Sequence, residues 1–263
     1  MNNEKDSRRD FLKLGIAGVG SILLLDACGN SQTGNIQNVS SAANANQENK
    51  EQKKTPDAKE VTAVEDLMRE HGILRRALLV YSEAATRLRK NPSQVSPEAL
   101  QKTAKLFRAF GEDYHEKMLE EAYLFPLIKQ KGGNSEAAKY PDILIVQHNR
   151  GREITDYIVS VTNGAKIGAN AGAFADLLDG FTRMYQNHAA REDTIVFPAW
   201  KDLITADEYD KLNDKFEDIE HEQFGEDGFD DAVKQIADIE GTLNLTDISQ
   251  FTPPAPPPPT SGK

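Results

Sequence analysis

Five histidines occur in the 263-residue chain, His71, His115, His148, His188 and His221, and each falls in a different segment of helical periodicity. Two of them have a glutamate about one turn further on: His115 is followed five residues later by Glu120, and His188 four residues later by Glu192. Imidazole nitrogens and carboxylate oxygens brought to one interior point bind transition metal ions, as in the helical bundles that hold two-metal carboxylate centres. The surroundings of the two glutamates also repeat. Glu120-Glu121-Ala122-Tyr123-Leu124-Phe125-Pro126 parallels Glu192-Asp193-Thr194-Ile195-Val196-Phe197-Pro198, an acidic pair and then an apolar run ending in Phe-Pro, with a histidine shortly upstream. Two halves related in this way bring equivalent ligands to a shared centre. Phe-Pro is also what a helix end or a kink with a core phenylalanine looks like, and both readings hold together.

To place such ligands the chain needs long helices, and its apolar spacing predicts them without a strand. The first helix starts at Thr62, which forms a capping box with Glu65, and runs to about Lys90, where Asn91-Pro92 stops it. A second follows Ser96, with Pro97 in the first turn where its missing N–H costs nothing, and continues to about Lys129 before Gly132-Gly133. The third spans about Ser135 to Thr162, with an irregular start near Pro141. The fourth covers about Ala171 to Leu203. Thr205 and Glu208 cap a fifth that reaches about Phe224, and a short last helix runs from about Phe229 to Ile239. Long helices on short connections predict an all-α, antiparallel four-helix bundle over residues 61–241, with additional C-terminal helices.

The flanks read differently. Residues 1–28 are a targeting segment: Ser7-Arg8-Arg9-Asp10-Phe11-Leu12-Lys13 matches the twin-arginine export signal, and the apolar stretch after it is too short for a usual membrane-spanning helix. It ends in Leu25-Asp26-Ala27-Cys28-Gly29, which resembles a lipoprotein cleavage box with Cys28 as the acylated residue and Asp26 as an unusual occupant. The alternative is simple cleavage near Ala27. Cys28 is the only cysteine, so an intramolecular disulfide is excluded even in an oxidising destination. Residues 29–60, rich in Asn, Gln, Ser, Ala and Lys, read as a disordered tether, and residues 242–263 as a proline-rich tail. The expected location is periplasmic or on the cell surface, with membrane contact only through the lipid. A net charge of −11 argues against nucleic acid as a partner.

The order His71, His115 with Glu120, His148, then His188 with Glu192, together with the two Phe-Pro runs, resembles hemerythrin-like (HHE) cation-binding domains over about residues 62–224. The resemblance implies a four-helix bundle holding two non-heme irons, bridged by carboxylates and an oxo or hydroxo group, with one open position for dioxygen; manganese is the second choice of metal. It gives His71 the place of the first-helix ligand and His148 that of the first histidine of the third helix. His188 and Glu192 match a His-x3-Glu pair, whereas His115 and Glu120 are one residue further apart, which on a regular helix turns them by about 140° and calls for a local bulge or a rotamer offset. Oxygen-binding members carry a second third-helix histidine where this chain has Arg152. His221, in Glu220-His221-Glu222, is the one histidine left to replace it. Glu116 is either an extra carboxylate ligand or a solvent-facing residue, and Glu121 is a substitute ligand should the offset resolve the other way. Tyr114 and Tyr185 stand near the histidines as hydrogen-bond donors or as core residues.

Three functions fit these residues. The first is a non-enzymatic di-iron module that binds or senses dioxygen or handles iron, with Leu67, Leu74, Phe110, Leu119 and Met184 lining its pocket. The second is a di-iron oxidoreductase reducing peroxide or nitric oxide, for which the sequence names no redox partner. The third is a structural or partner-binding lipoprotein stabilised by its metal.

Overall fold

The computed structural model describes residues 61–163, 167–225 and 227–257, the side chains of residues 168 and 169 excepted. The segments expected to be an export signal and a tether, with Cys28, lie outside the described residues, as do residues 258–263. Among the described residues there is no strand, and no helix is long and apolar enough to cross a membrane.

Among the described residues six long helices follow one another, with short 3-10 turns between and after them. Helix α1 is Ala63–Lys90. Helix α2, residues 97–131, joins Pro97–Leu106, Phe107–Leu124 and Phe125–Lys131 without a break. Helix α3 is Pro141–Thr162. Helix α4, residues 171–202, joins Ala171–Arg191, Glu192–Val196 and Phe197–Asp202. Helices α5 and α6 are Ala206–Phe224 and Gly228–Thr242. The ends lie where local chemistry puts them. Thr62 and Ser96 accept hydrogen bonds from Glu65 N and Ala99 N, satisfying N–H groups that the first helical turn leaves over. The capping box at Thr205 and Glu208 is complete, and Gly225, at φ +90°, closes α5 in a conformation open to glycine.

Contacts across the bundle fix its sense. His71, early in α1, meets Glu192, late in α4, while Arg89 at the far end of α1 pairs with Asp176 and Asp179 near the start of α4. Likewise Arg108 of α2 reaches Asp156 of α3, and His148, nearer the start of α3, reaches Glu121 further along α2. Neighbouring helices therefore run antiparallel. The core between them includes an aromatic group in which Phe181 packs against Tyr81, Phe107 and Tyr185. Burying such side chains removes apolar surface from water at roughly 25 cal/mol per Å².

Helix α5 closes over Trp200 with Tyr209 and Phe216, and the Tyr209 hydroxyl accepts a hydrogen bond from Val64 N. Helix α6 is tied to α1 by Arg76 on Glu240 and by Arg87 on the carbonyl of Leu243. Leu243 and Leu245 are buried, so the packed domain extends past residue 241, where composition alone places the start of the tail.

Wide helical turns occupy Phe107–Leu124 and Glu192–Val196. Each ends in the same bond: Phe125 N donates to Glu120 O, and Phe197 N to Glu192 O, five residues back instead of four. At the end of each stretch the following proline favours this bond. Pro126 and Pro198 have no N–H for the carbonyl four residues earlier, and their rings crowd it; an extra residue in the preceding turn relieves both problems. Because such a turn takes one more residue, His115 and Glu120 share a face despite their five-residue spacing.

Candidate metal centre

Four histidines meet in two pairs. His71 Nε2 and His115 Nε2 are 3.1 Å apart, and His148 Nε2 and His188 Nε2 are 3.0 Å apart. Between the pairs lie two carboxylates, each with one oxygen toward either pair. Glu120 Oε1 is 3.4 Å from His115 Nε2, and its Oε2 is 3.4 Å from His148 Nε2. Glu192 Oε2 is 3.4 Å from His71 Nε2, and its Oε1 is 3.0 Å from His188 Nε2. All six side chains are buried.

The other ring nitrogen of each histidine has an oxygen acceptor. His71 Nδ1 meets Asp193 Oδ1 at 2.6 Å, His115 Nδ1 meets Glu70 Oε2 at 2.6 Å, His148 Nδ1 meets Glu121 Oε1 at 2.8 Å and His188 Nδ1 meets Gln147 Oε1 at 2.9 Å. Acceptors there hold the proton on Nδ1 and leave the Nε2 lone pair aimed inward. Phe197 stacks on the His71 ring at 5.3 Å and Phe125 on the His148 ring at 5.6 Å, fixing the planes of both imidazoles.

Two lone pairs facing each other at 3 Å repel unless a cation sits between them. With metal–nitrogen bonds of about 2.1 Å at a right angle, two ligand nitrogens stand about 3.0 Å apart, which is the separation within both pairs. The four oxygens of Glu120 and Glu192 have no hydrogen-bond partner although buried, a cost of about 1–3 kcal/mol for each such group. Neighbouring charges act in the same direction. Burial opposes charge on His148, but Glu116, Glu120 and Glu121 outweigh it and raise its pKa to about 10. Burial likewise opposes ionisation of Glu192, and His188 and His71 overcome it, holding that carboxyl well below its usual range. A cation coordinated by the Nε2 atoms would take the place of the protons that these carboxylates otherwise draw in. Nitrogen and carboxylate oxygen donors without thiolate suit iron and manganese.

Of the residues singled out by spacing, His71, His115, Glu120, His148, His188 and Glu192 come together; His221 does not. The buried stripe of α5 runs through Tyr209, Phe216, Ile219 and Glu220, and one further residue turns His221 about 100° off it into solvent. No third nitrogen is supplied from that helix. Arg152 instead bonds Glu121 Oε1 at 2.7 Å and Glu116 Oε2 at 3.2 Å, and Arg75, likewise four residues after a ligand histidine, pairs with Asp193. Glu121 stands on the outer side of His148, within 2.8 Å of its Nδ1, in a further cluster with Glu116 and outside the two clusters that Glu120 and Glu192 join. Glu116 is buried rather than solvent-facing. Tyr114 donates to Glu70 Oε1 at 3.0 Å and Tyr185 to Glu116 Oε1 at 2.7 Å.

The pocket differs from the expected one. A small cleft of about 10 Å³, room for about one water-sized molecule, is lined by His71, His115, Glu120, His188 and Glu192 together with Leu74, Arg75, Leu78, Glu116, Tyr185 and Ala189. Leu67, Phe110 and Leu119 are packed in the core, and Met184 lies against it, so of the five apolar residues expected only Leu74 lines the cleft.

Sequence reasoning missed the roles of Glu70, Gln147 and Asp193. A signal existed: Glu70 and Gln147 each immediately precede a ligand histidine, and Asp193, like Glu121, is the second member of a repeated acidic pair.

A helical bundle whose two halves present paired histidines to shared carboxylates is a metal-binding protein. The chain belongs to the hemerythrin HHE cation binding domain family, which it matches over residues 62–200. It is also 44% identical over 195 residues to an uncharacterised protein of Mycobacterium bovis, covering 73% of this chain and 74% of that protein. Uncharacterised proteins from two Mycobacterium tuberculosis strains match with the same identity and coverage. No solved structure matches the chain.

Proposed function

We propose that this protein holds two non-heme irons and uses them to bind a small oxygen-derived ligand, with dioxygen binding or sensing, or the handling of iron itself, as its role. The observation that carries this reading is the pair of glutamates, whose four unpartnered oxygens face two histidine pairs. Charge supports two ions. Around the imidazoles stand six carboxylates, Glu70, Glu116, Glu120, Glu121, Glu192 and Asp193, against two guanidiniums, Arg75 and Arg152, leaving four formal negative charges to balance two divalent cations.

His71, His115, Glu120 and Glu192 would hold one ion, and His148, His188 and the same two glutamates the other. Bound iron supplies one-electron chemistry toward oxygen species. The chain's part is to keep the Nδ1 protons in place, to shield the centre with Phe125 and Phe197, and to offer a ligand the cleft that Leu74, Arg75 and Ala189 help to line.

A second reading, a di-iron oxidoreductase acting on peroxide, draws support from the polar side of the cleft, where Glu116 and Tyr185 stand. We further propose that the protein is exported by the twin-arginine route and anchored by lipid at Cys28, on the strength of Arg8-Arg9 and the box ending at that cysteine.

The test is anaerobic loading with ferrous iron, metal analysis, and an optical spectrum before and after air. Two irons per chain and a reversible charge-transfer band are expected for dioxygen binding. A domain that takes up no transition metal rejects both readings. Mass spectrometry of the membrane fraction tests the lipid at Cys28.

A further inference from the structure

The lining of the cleft is uneven. Leu74, Leu78 and Ala189 offer only hydrocarbon, while a third buried carboxylate, Glu116, also lines it; Glu116 belongs to neither cluster between the histidine pairs and stands with Glu121 on the outer side of His148. In the repeat that relates the two halves, Glu116 follows His115 as Ala189 follows His188, so this carboxylate has no counterpart. Its position is built. Tyr185 donates to Oε1 and Arg152 to Oε2, and the Tyr185 hydroxyl lies where a Cβ on residue 151 would stand only 1.9 Å away, a place that Gly151 leaves open.

These bonds use up the hydroxyl proton of Tyr185. What this wall offers a ligand in the cleft is therefore oxygen lone pairs, from Glu116 and from Tyr185. We propose that Glu116 and Tyr185 form a hydrogen-bond-accepting wall that makes the cleft selective for small ligands carrying an O–H, hydrogen peroxide in particular, over ligands that can only accept, such as azide. This rests on the reading of the cleft as the ligand site of the metal pair. A charged acceptor meeting an O–H gains a hydrogen bond, whereas meeting azide it faces another lone pair; the difference amounts to roughly tenfold or more in relative affinity.

The experiment uses the iron-loaded chain. Iron content is measured first, then azide is bound and the hydrogen peroxide concentration that displaces half of it is read by stopped-flow absorbance. Glu116→Gln turns part of the wall into an amide donor, so about tenfold more peroxide should be needed relative to azide. Glu116→Ala, which removes both carboxylate acceptors and frees the Tyr185 hydroxyl proton, should shift the balance in the same direction and serves if the glutamine variant does not fold. A structural role alone would weaken both ligands together and leave the ratio unchanged. Unchanged ratios in folded variants with full iron, or a shift toward peroxide, overturn the proposal. A wild-type chain that takes up no iron overturns the metal reading on which it stands.

Discussion

At the scale of single residues, the polar groups beside the centre are as sharply constrained as the ligands. Glu112 is buried, accepts from Thr155 Oγ1 at 2.6 Å and lies 2.9 Å from Arg108 Nε. Burial is the main cause that raises its pKa to about 7, with Glu116 adding to the rise while Thr155, Arg108 and Arg152 oppose it. An unfolded glutamate titrates near 4.3. The folded protein thus keeps this proton over a range where the unfolded chain has lost it. Stability falls as pH rises from about 4.3 to about 7 and stays lower above. Glu112→Gln should therefore raise the melting temperature at pH 8 more than at pH 5, by calorimetry. Gly151→Ala places a methyl group against the Tyr185 hydroxyl and should cost about 1–3 kcal/mol, measured by urea unfolding. His221→Ala, on the exposed face of α5, should leave iron stoichiometry and spectrum unchanged.

At the scale of elements, the Phe-Pro runs do several things at once. Each widens the turn before it, turns a glutamate inward, and brings a phenylalanine onto a histidine of another helix. Pro126→Ala restores an N–H for the carbonyl of Ala122 and lets α2 return to four-residue bonding, which swings Glu120 away from His115. Iron content should fall with little change in far-UV circular dichroism; full retention of iron would show that the wide turn does not depend on this proline. Much of this architecture is legible in the amino-acid order. Thr62, Ser96-Pro97 and Thr205 with Glu208 mark helix starts by local chemistry, and the ligand histidines stand out because nothing else explains so few imidazoles distributed one to a helix. The acceptors of Nδ1 are marked only by their neighbours in sequence, and which histidine each one serves is not legible there, since Glu70 serves α2 from α1 and Asp193 serves α1 from α4, pairings that only packing creates. His221 misleads for a related reason: spacing places it on a helix, but the face it occupies depends on how α5 sits against the bundle. Leu243 and Leu245 pass for part of the tail because two apolar residues beyond a helix form no periodic pattern.

At the scale of the molecule, the centre joins the α1–α2 pair of helices to the α3–α4 pair. Each histidine couple comes from one pair, yet His71 is held by Asp193 and His148 by Glu121, and both glutamates reach across. Each bound ion at a concentration 100-fold above its dissociation constant stabilises the fold by about 2.7 kcal/mol, or roughly 5–10 °C for a domain of this size. Ferrous iron should raise the melting temperature by that amount per ion, and a chelator should reverse it; no shift on loading would mean that the ions do not bridge the halves. The same arrangement works as a clasp. With the two proposed ions bound, the helical pairs could not part without stripping ligands from both, and losing either would slacken the seam along which they meet, so the metal state of the centre would be expressed as how firmly one half of the protein grips the other.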